Sequence, residues 1–252
     1  MLIITFISLF LAAILGGLVV FLIPKVDFQK FKLILTFSGA FLFSITVTHI
    51  LPELLSGQTG TNPAIIGIFI LAGFFLQLIL EFFSYGIEHG HIHHDKSDHH
   101  NNLVPYILLI SLSVHSLLEG TILINPVSVN TPELLAFWQI DMNTVLYGII
   151  LHKIPAAFAL MSVLLYQLSN KRLAIILLSI FALASPIGMA VSNLVLISGD
   201  VFIIIMAIVS GSFLHISTTI LFEASPDHRF NWVRLLFAIL GAMMAIFTLF
   251  IL

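Results

Sequence analysis

Eight apolar stretches, each at least as long as a membrane crossing requires, follow one another along the chain with little between them. They run at about Leu2–Ile23, Leu33–Leu54, Pro63–Phe83, Leu103–Ile124, Thr144–Leu168, Leu173–Ile197, Val201–Phe222 and Trp232–Leu252. A helix rises 1.5 Å per residue, so crossing a hydrocarbon core about 30 Å thick takes roughly 20 apolar residues. None of the stretches alternates with the two-residue period of a barrel strand, so helices must satisfy the backbone hydrogen bonds in lipid. Only 8% of the residues are charged and 60% are hydrophobic, against about 25% charged in a soluble domain, which excludes water-soluble folds. The expectation is an all-α polytopic membrane protein with eight transmembrane helices, forming a single domain over residues 1–252. The first stretch lacks the basic start and short apolar core of a cleaved signal, and reads as a retained helix.

Loop charge gives the expected orientation, because Lys and Arg are retained on the cytoplasmic side. The odd-numbered loops hold Lys25, Lys30, Lys32, Lys96, Lys171, Arg172, Arg229 and Arg234, and the even-numbered loops hold no basic residue. Both termini are therefore expected on the outer or luminal face and the third loop in the cytoplasm. The basic residues are scattered and the net charge is −3, which argues against nucleic acid as a partner. Cys is absent, so disulfides and thiolate metal sites are excluded. Small residues four apart, Ala12/Gly16 and Gly241/Ala245, suit close helix packing.

Ionisable residues inside spans are costly and commonly mark a pathway or site. Here they are His49, Glu53, Glu81, His115, Glu119, His152, Lys153, His215 and Glu223. Glu53, Glu81 and Glu223 sit near span ends, where a long side chain can reach water. His115 and Glu119 do not: counted from the start of the fourth span they lie about 18 and 24 Å along it. His152 lies about 12 Å into the fifth span, which runs the other way. The two histidines thus share a depth, and residues four apart on a helix share a face, so His115, Glu119 and His152 can converge. Two imidazoles and a carboxylate suit Zn²⁺ or another borderline divalent cation; a hydrogen-bonded cluster that only holds helices together is the simpler alternative.

Pro155 and Pro186 stand inside spans and should each leave a carbonyl four residues earlier unbonded, and broken helices near the midplane are common at transporter sites. The third loop, residues 86–102, carries His89, His91, His93, His94, His99 and His100, a metal-binding composition without fixed spacing. A chelating loop beside an intramembrane cluster implies that the ion crosses.

The sequence resembles the ZIP (Zrt- and Irt-like protein) family of divalent metal transporters over essentially its whole length. The fourth span reads His115-Ser116-Leu117-Leu118-Glu119-Gly120 and the fifth His152-Lys153-Ile154-Pro155-Ala156-Ala157-Phe158. Ser185-Pro186-Ile187-Gly188 looks like the family's sixth-span motif, and Gly211-Ser212-Phe213-Leu214-His215 with Leu221-Phe222-Glu223 looks like its seventh. Members that hold two adjacent ions have acids where Lys153, Ala156 and Ser185 stand here, and a polar residue where Ser116 stands. The Lys-x-Pro-Ala-Ala-Phe form resembles a distinct branch, so the resemblance implies a variant site with Lys153 as a fixed positive charge in the second ion's place. It also implies alternating access in which spans 1, 4, 5 and 6 carry the ion past spans 2, 3, 7 and 8. On such a path His49 and Glu53 could receive the ion and His215 and Glu223 release it. The metal is substrate rather than cofactor, with Zn²⁺ the first expectation; the other partners are the lipid bilayer and, as an open expectation, a second copy of the chain. From other classes, an intramembrane zinc hydrolase and a metal-sensing receptor remain, although the His-Glu-x-x-His hydrolase pattern is absent. The chain is not expected to be an enzyme.

Overall fold

The computed structural model describes residues 2–22, 28–56, 61–84, 103–123, 142–168, 170–194, 199–223 and 231–251. Each expected apolar segment holds a helix: α1 (Leu2–Leu18), α2 (Phe28–Ile45, continuing through a π-helical turn at Thr46–Ile50 into Leu51–Leu55), α3 (Pro63–Ser84), α4 (Val104–Thr121), α5 (Met142–Gln167), α6 (Lys171–Leu194), α7 (Gly199–Glu223) and α8 (Trp232–Ile251). Among the described residues there is no strand. By length and composition α1 to α7 are each able to cross a membrane, and α8 offers a shorter apolar stretch, Trp232–Thr248. The protein is an all-α, multi-pass membrane protein. The His-rich loop with His89, His91, His93, His94, His99 and His100 lies outside the described residues.

Starts of helices differ from the apolar boundaries for a physical reason. Lys30 and Lys32 fall inside α2, and Lys171 and Arg172 open α6, because a basic side chain at a helix end can keep its head at the interface while its backbone is helical. Asparagines set three of the starts. The side-chain oxygen of Asn62 accepts from the Ala64 N–H at 2.9 Å, that of Asn170 from Arg172 at 3.0 Å, and that of Asn231 from Val233 at 3.0 Å, relieving donors that an N-terminal turn leaves unpaired.

Pro155 and Pro186 stand inside α5 and α6, which run through both as helix. The π-helical turn is in α2. Thr46 and Thr48 donate to the carbonyls of Leu42 and Ser44, each four residues back, at 2.8 and 2.7 Å. Pro52 follows and has no N–H to give, so competing hydroxyls and a missing donor fall within about two turns and widen the helix between them.

Packing divides the helices into two groups. α1 lies along α5 and α6, and α4 lies along α6; separately, α3 lies along α7 and α2 along α8 and α7. The groups meet where α2 touches α5, α3 touches α4 and α4 touches α7. Glycines let the backbones come together within each group. A Cβ on Gly120 (α4) would strike the carbonyl of Ser185 (α6), and one on Gly188 (α6) the carbonyl of Leu117 (α4). Gly73 (α3) and Gly211 (α7) stand in the same reciprocal relation to Ile208 and Ile70. Gly16 approaches the carbonyl of Ile154, and Gly241 that of Phe37. Gly120→Ala should therefore force α4 and α6 apart and lower stability by about 1–3 kcal/mol or more. Gly67→Ala is the control, since nothing lies within 4 Å of its added Cβ. Thermal unfolding in detergent that shifts equally for the two variants would refute the assignment.

Candidate metal site

The close approach of α4 and α6 sets the level of the site, one turn from the Gly120 contact. His115 and Glu119 follow each other on one face of α4, with His115 Nε2 2.9 Å from Glu119 Oε1. His152 enters from α5, its ring perpendicular to that of His115 with centroids 6.0 Å apart. One ligand-type atom from each of His115, Glu119 and His152 lies within 4.8 Å of the others, and all three residues are buried. Among the described residues this is the one group of three or more such side chains that converges.

Lys153 does not snorkel: only 1% of it is exposed. Its ammonium donates to Ser116 Oγ and, at 2.6 Å, to Ser185 Oγ. It stands 3.9 Å from Glu119 Oε2 and 4.8 Å from the Phe181 ring centroid. The two serines also bond each other at 2.9 Å, and Ser185 Oγ lies 2.7 Å from the Ser116 carbonyl. The cation is thus held by hydroxyls from α4 and α6, a carboxylate from α4 and an aromatic face from α6. Desolvating an ammonium costs several kcal/mol unless such partners replace its water, and these do.

The other expected pathway residues lie apart from this cluster. His49 sits in the π-helical turn of α2, with Nδ1 2.8 Å from Thr48 Oγ1, and Glu53 is half-buried one turn on. His215 on α7 has Nδ1 3.2 Å from Glu81 Oε2 on α3 and packs its ring edge against Phe74 at 4.7 Å. Glu81 therefore has a partner in the protein rather than reaching for water alone. Of Glu223 the backbone is described, as the last residue of α7.

Two residues at the site were not anticipated. Ser212 on α7 has its hydroxyl 3.1 Å from His115 Nδ1, and it donates at 2.9 Å to the side-chain oxygen of Gln77 on α3. Gln77 is the lone amide in α3, whose other polar side chains, Glu81 and Ser84, fall in its last turn; an amide that deep is a signal of a polar contact across helices. Ser212 stands in the seventh-span motif Gly211-Ser212-Phe213-Leu214-His215, but nothing in that motif names His115 as its partner.

A family model described as "ZIP Zinc transporter" matches residues 86–251. Protein zntD of Dictyostelium discoideum is 31% identical over 156 residues, which cover 57% of this chain and 21% of that protein. The chain accordingly spans about a fifth of that relative's length. With the family match extending over well more than half of its residues, the chain belongs to the ZIP family.

Proposed function

We propose that this protein moves divalent metal ions, Zn²⁺ first among them, across the membrane toward the cytoplasm, binding them in transit at His115, Glu119 and His152. The observation that carries the reading is the convergence of those three buried side chains between two apolar helices. Nitrogen and carboxylate oxygen donors suit a borderline cation, and the description of the matching family names zinc. The grouping of α1, α4, α5 and α6 apart from α2, α3, α7 and α8 supports alternating access by relative movement of the two. His49 and Glu53 serve the entry side and His215 and Glu223 the exit side, an orientation that rests on the positive loop charges. A hydrolase is disfavoured because the carboxylate that would act as general base is already set against His115.

Uptake of Zn²⁺ into liposomes containing the purified protein, against Mn²⁺, Fe²⁺ and Cd²⁺ as competitors, tests the proposal. Time-dependent accumulation that saturates with metal is the expected result. Metal-dependent cleavage of a membrane peptide without flux would replace transport by hydrolysis.

The loop histidines tune transport without being needed for it, since in sequence they fall between the third and fourth apolar runs, outside the segments that carry His115, Glu119 and His152. Replacing His89, His91, His93, His94, His99 and His100 together by Ser should leave liposome flux within about threefold of wild type, less than the effect of losing a metal ligand. Abolished flux in a well-folded sextuple variant would contradict this separation.

A further inference from the structure

His115 is held from outside its own group of helices, and that contact fixes which of its nitrogens faces the ion. Ser212 has a single hydroxyl proton, and it is directed to Gln77 Oε1 at 2.9 Å. Toward His115 Nδ1, 3.1 Å away, the serine oxygen can then only accept. In this arrangement Nδ1–H donates to the serine, and in a neutral imidazole Nε2 keeps its lone pair. That lone pair points at Glu119 Oε1, 2.9 Å away. A cation held between these two atoms, a metal ion or a second ring proton, is shared by both. The chain Gln77–Ser212–His115 thus prepares Nε2 as a ligand.

We propose that Ser212 and Gln77 are positioning residues for metal binding, holding His115 in its Nδ1–H form with Nε2 directed to the ion. The proposal rests on His115 being a ligand of the transported metal. Both residues are suited to the task by burial, with Gln77 1% and Ser212 2% exposed, so water does not compete for the contacts. Ser217, one turn and a half further along α7, shows the contrast: its hydroxyl is spent on the Phe213 carbonyl of its own helix at 2.6 Å. Ser212 instead reaches across to α3 and α4.

The location adds a consequence for the transport cycle. His115 is on α4, whereas Ser212 and Gln77 are on α7 and α3, in the other group of helices. The clasp exists when the two groups stand as they do here and is lost when one slides past the other. Affinity for the ion is then tied to the relative position of the groups, because partners that orient a metal-binding histidine typically contribute 10–100-fold in affinity.

The test uses the full-length protein with the six loop histidines replaced by Ser, so that core binding is read alone. Ser212→Ala should raise the Kd for Zn²⁺ by roughly 10-fold or more, Gln77→Leu should shift it in the same direction, and Ser212→Thr, which keeps the hydroxyl, should recover most of the affinity. In liposomes the loss should appear in KM with maximal flux at saturating Zn²⁺ largely kept. In ¹⁵N-histidine spectra the metal-free protein should show His115 protonated on Nδ1, and Ser212→Ala should populate the Nε2–H form. Unchanged Kd and unchanged His115 signals in Ser212→Ala and Gln77→Leu would overturn the proposal, as would a wild-type His115 protonated on Nε2. If His115→Ala binds Zn²⁺ as wild type does, the metal site itself is wrong; if His115→Ala loses binding while Ser212→Ala keeps it, only the positioning role falls.

Discussion

Zn²⁺ uptake should fall by on the order of 100-fold or more when His115 or His152 is replaced by Ala, or Glu119 by Gln, because each change removes a direct ligand, where loss of a mere orienting partner already costs 10–100-fold. Among the described residues no other His, Asp or Glu joins this cluster. The three ligand atoms sit within 4.8 Å of one another and are buried, and the adjoining polar groups are the Lys153 ammonium and the Ser116 and Ser185 hydroxyls that hold it. His152→Ala is the cleanest member of the set, since His115 also anchors the contact to Ser212 and Glu119 also faces Lys153. The comparison variant is His215→Ala, whose partners are Glu81 and Phe74. It should slow transport while leaving metal affinity at the core cluster intact. Wild-type flux through His152→Ala at normal membrane abundance would remove His152 from the transport path.

The long apolar runs identified every helix among the described residues, because in lipid an apolar stretch of spanning length has one way to satisfy its backbone. The meeting of His115 with His152 was also within reach, since helix rise converts residue number into depth and a four-residue spacing fixes the face. Which helices flank each other is another matter. α4 lies against α6 and α3 against α7, and those neighbours depend on glycines such as Gly120 and Gly188 whose partners are far away in sequence. For the same reason Ser212 stayed hidden: its role comes from α7 passing beside α4, and no local pattern encodes that. The irregular turn around His49 has no single breaker that marks it in sequence, since threonine hydroxyls and Pro52 act together on α2. The seat of Lys153 on Ser116 and Ser185 was half legible. The residues stood at aligned motif positions, but only the packing of α4 on α6 brings both hydroxyls to one ammonium.

Lys153 should weaken ion binding, and its removal should make the protein bind Zn²⁺ more tightly and carry it more slowly. The charges decide the sign. Glu119 and Lys153 form a pair 3.9 Å apart whose charges cancel, so a divalent ion at His115, Glu119 and His152 gives the loaded cluster a formal excess of two positive charges. An ammonium 3.9 Å from Glu119 Oε2 sets a like-charge repulsion of several kcal/mol, at an effective dielectric constant of about 20, against a divalent ion bound to that carboxylate. A small part of that suffices for release, because a site crossed in transit must hold its ion weakly enough to let it go. Lys153→Met keeps the length of the side chain without the charge and leaves Ser116 and Ser185 bonded to each other. In protein lacking the loop histidines its Kd for Zn²⁺ should fall at least 10-fold, about 1.4 kcal/mol, while maximal liposome flux drops in step with slower release. Lys153→Glu restores an acid at the position where two-ion relatives have one. It should bind still more tightly and raise the number of core ions from one toward two by equilibrium dialysis. Weaker binding in both variants, or two core ions in the parent protein, would mean that Lys153 braces α4 and α6 rather than standing in for a second metal ion.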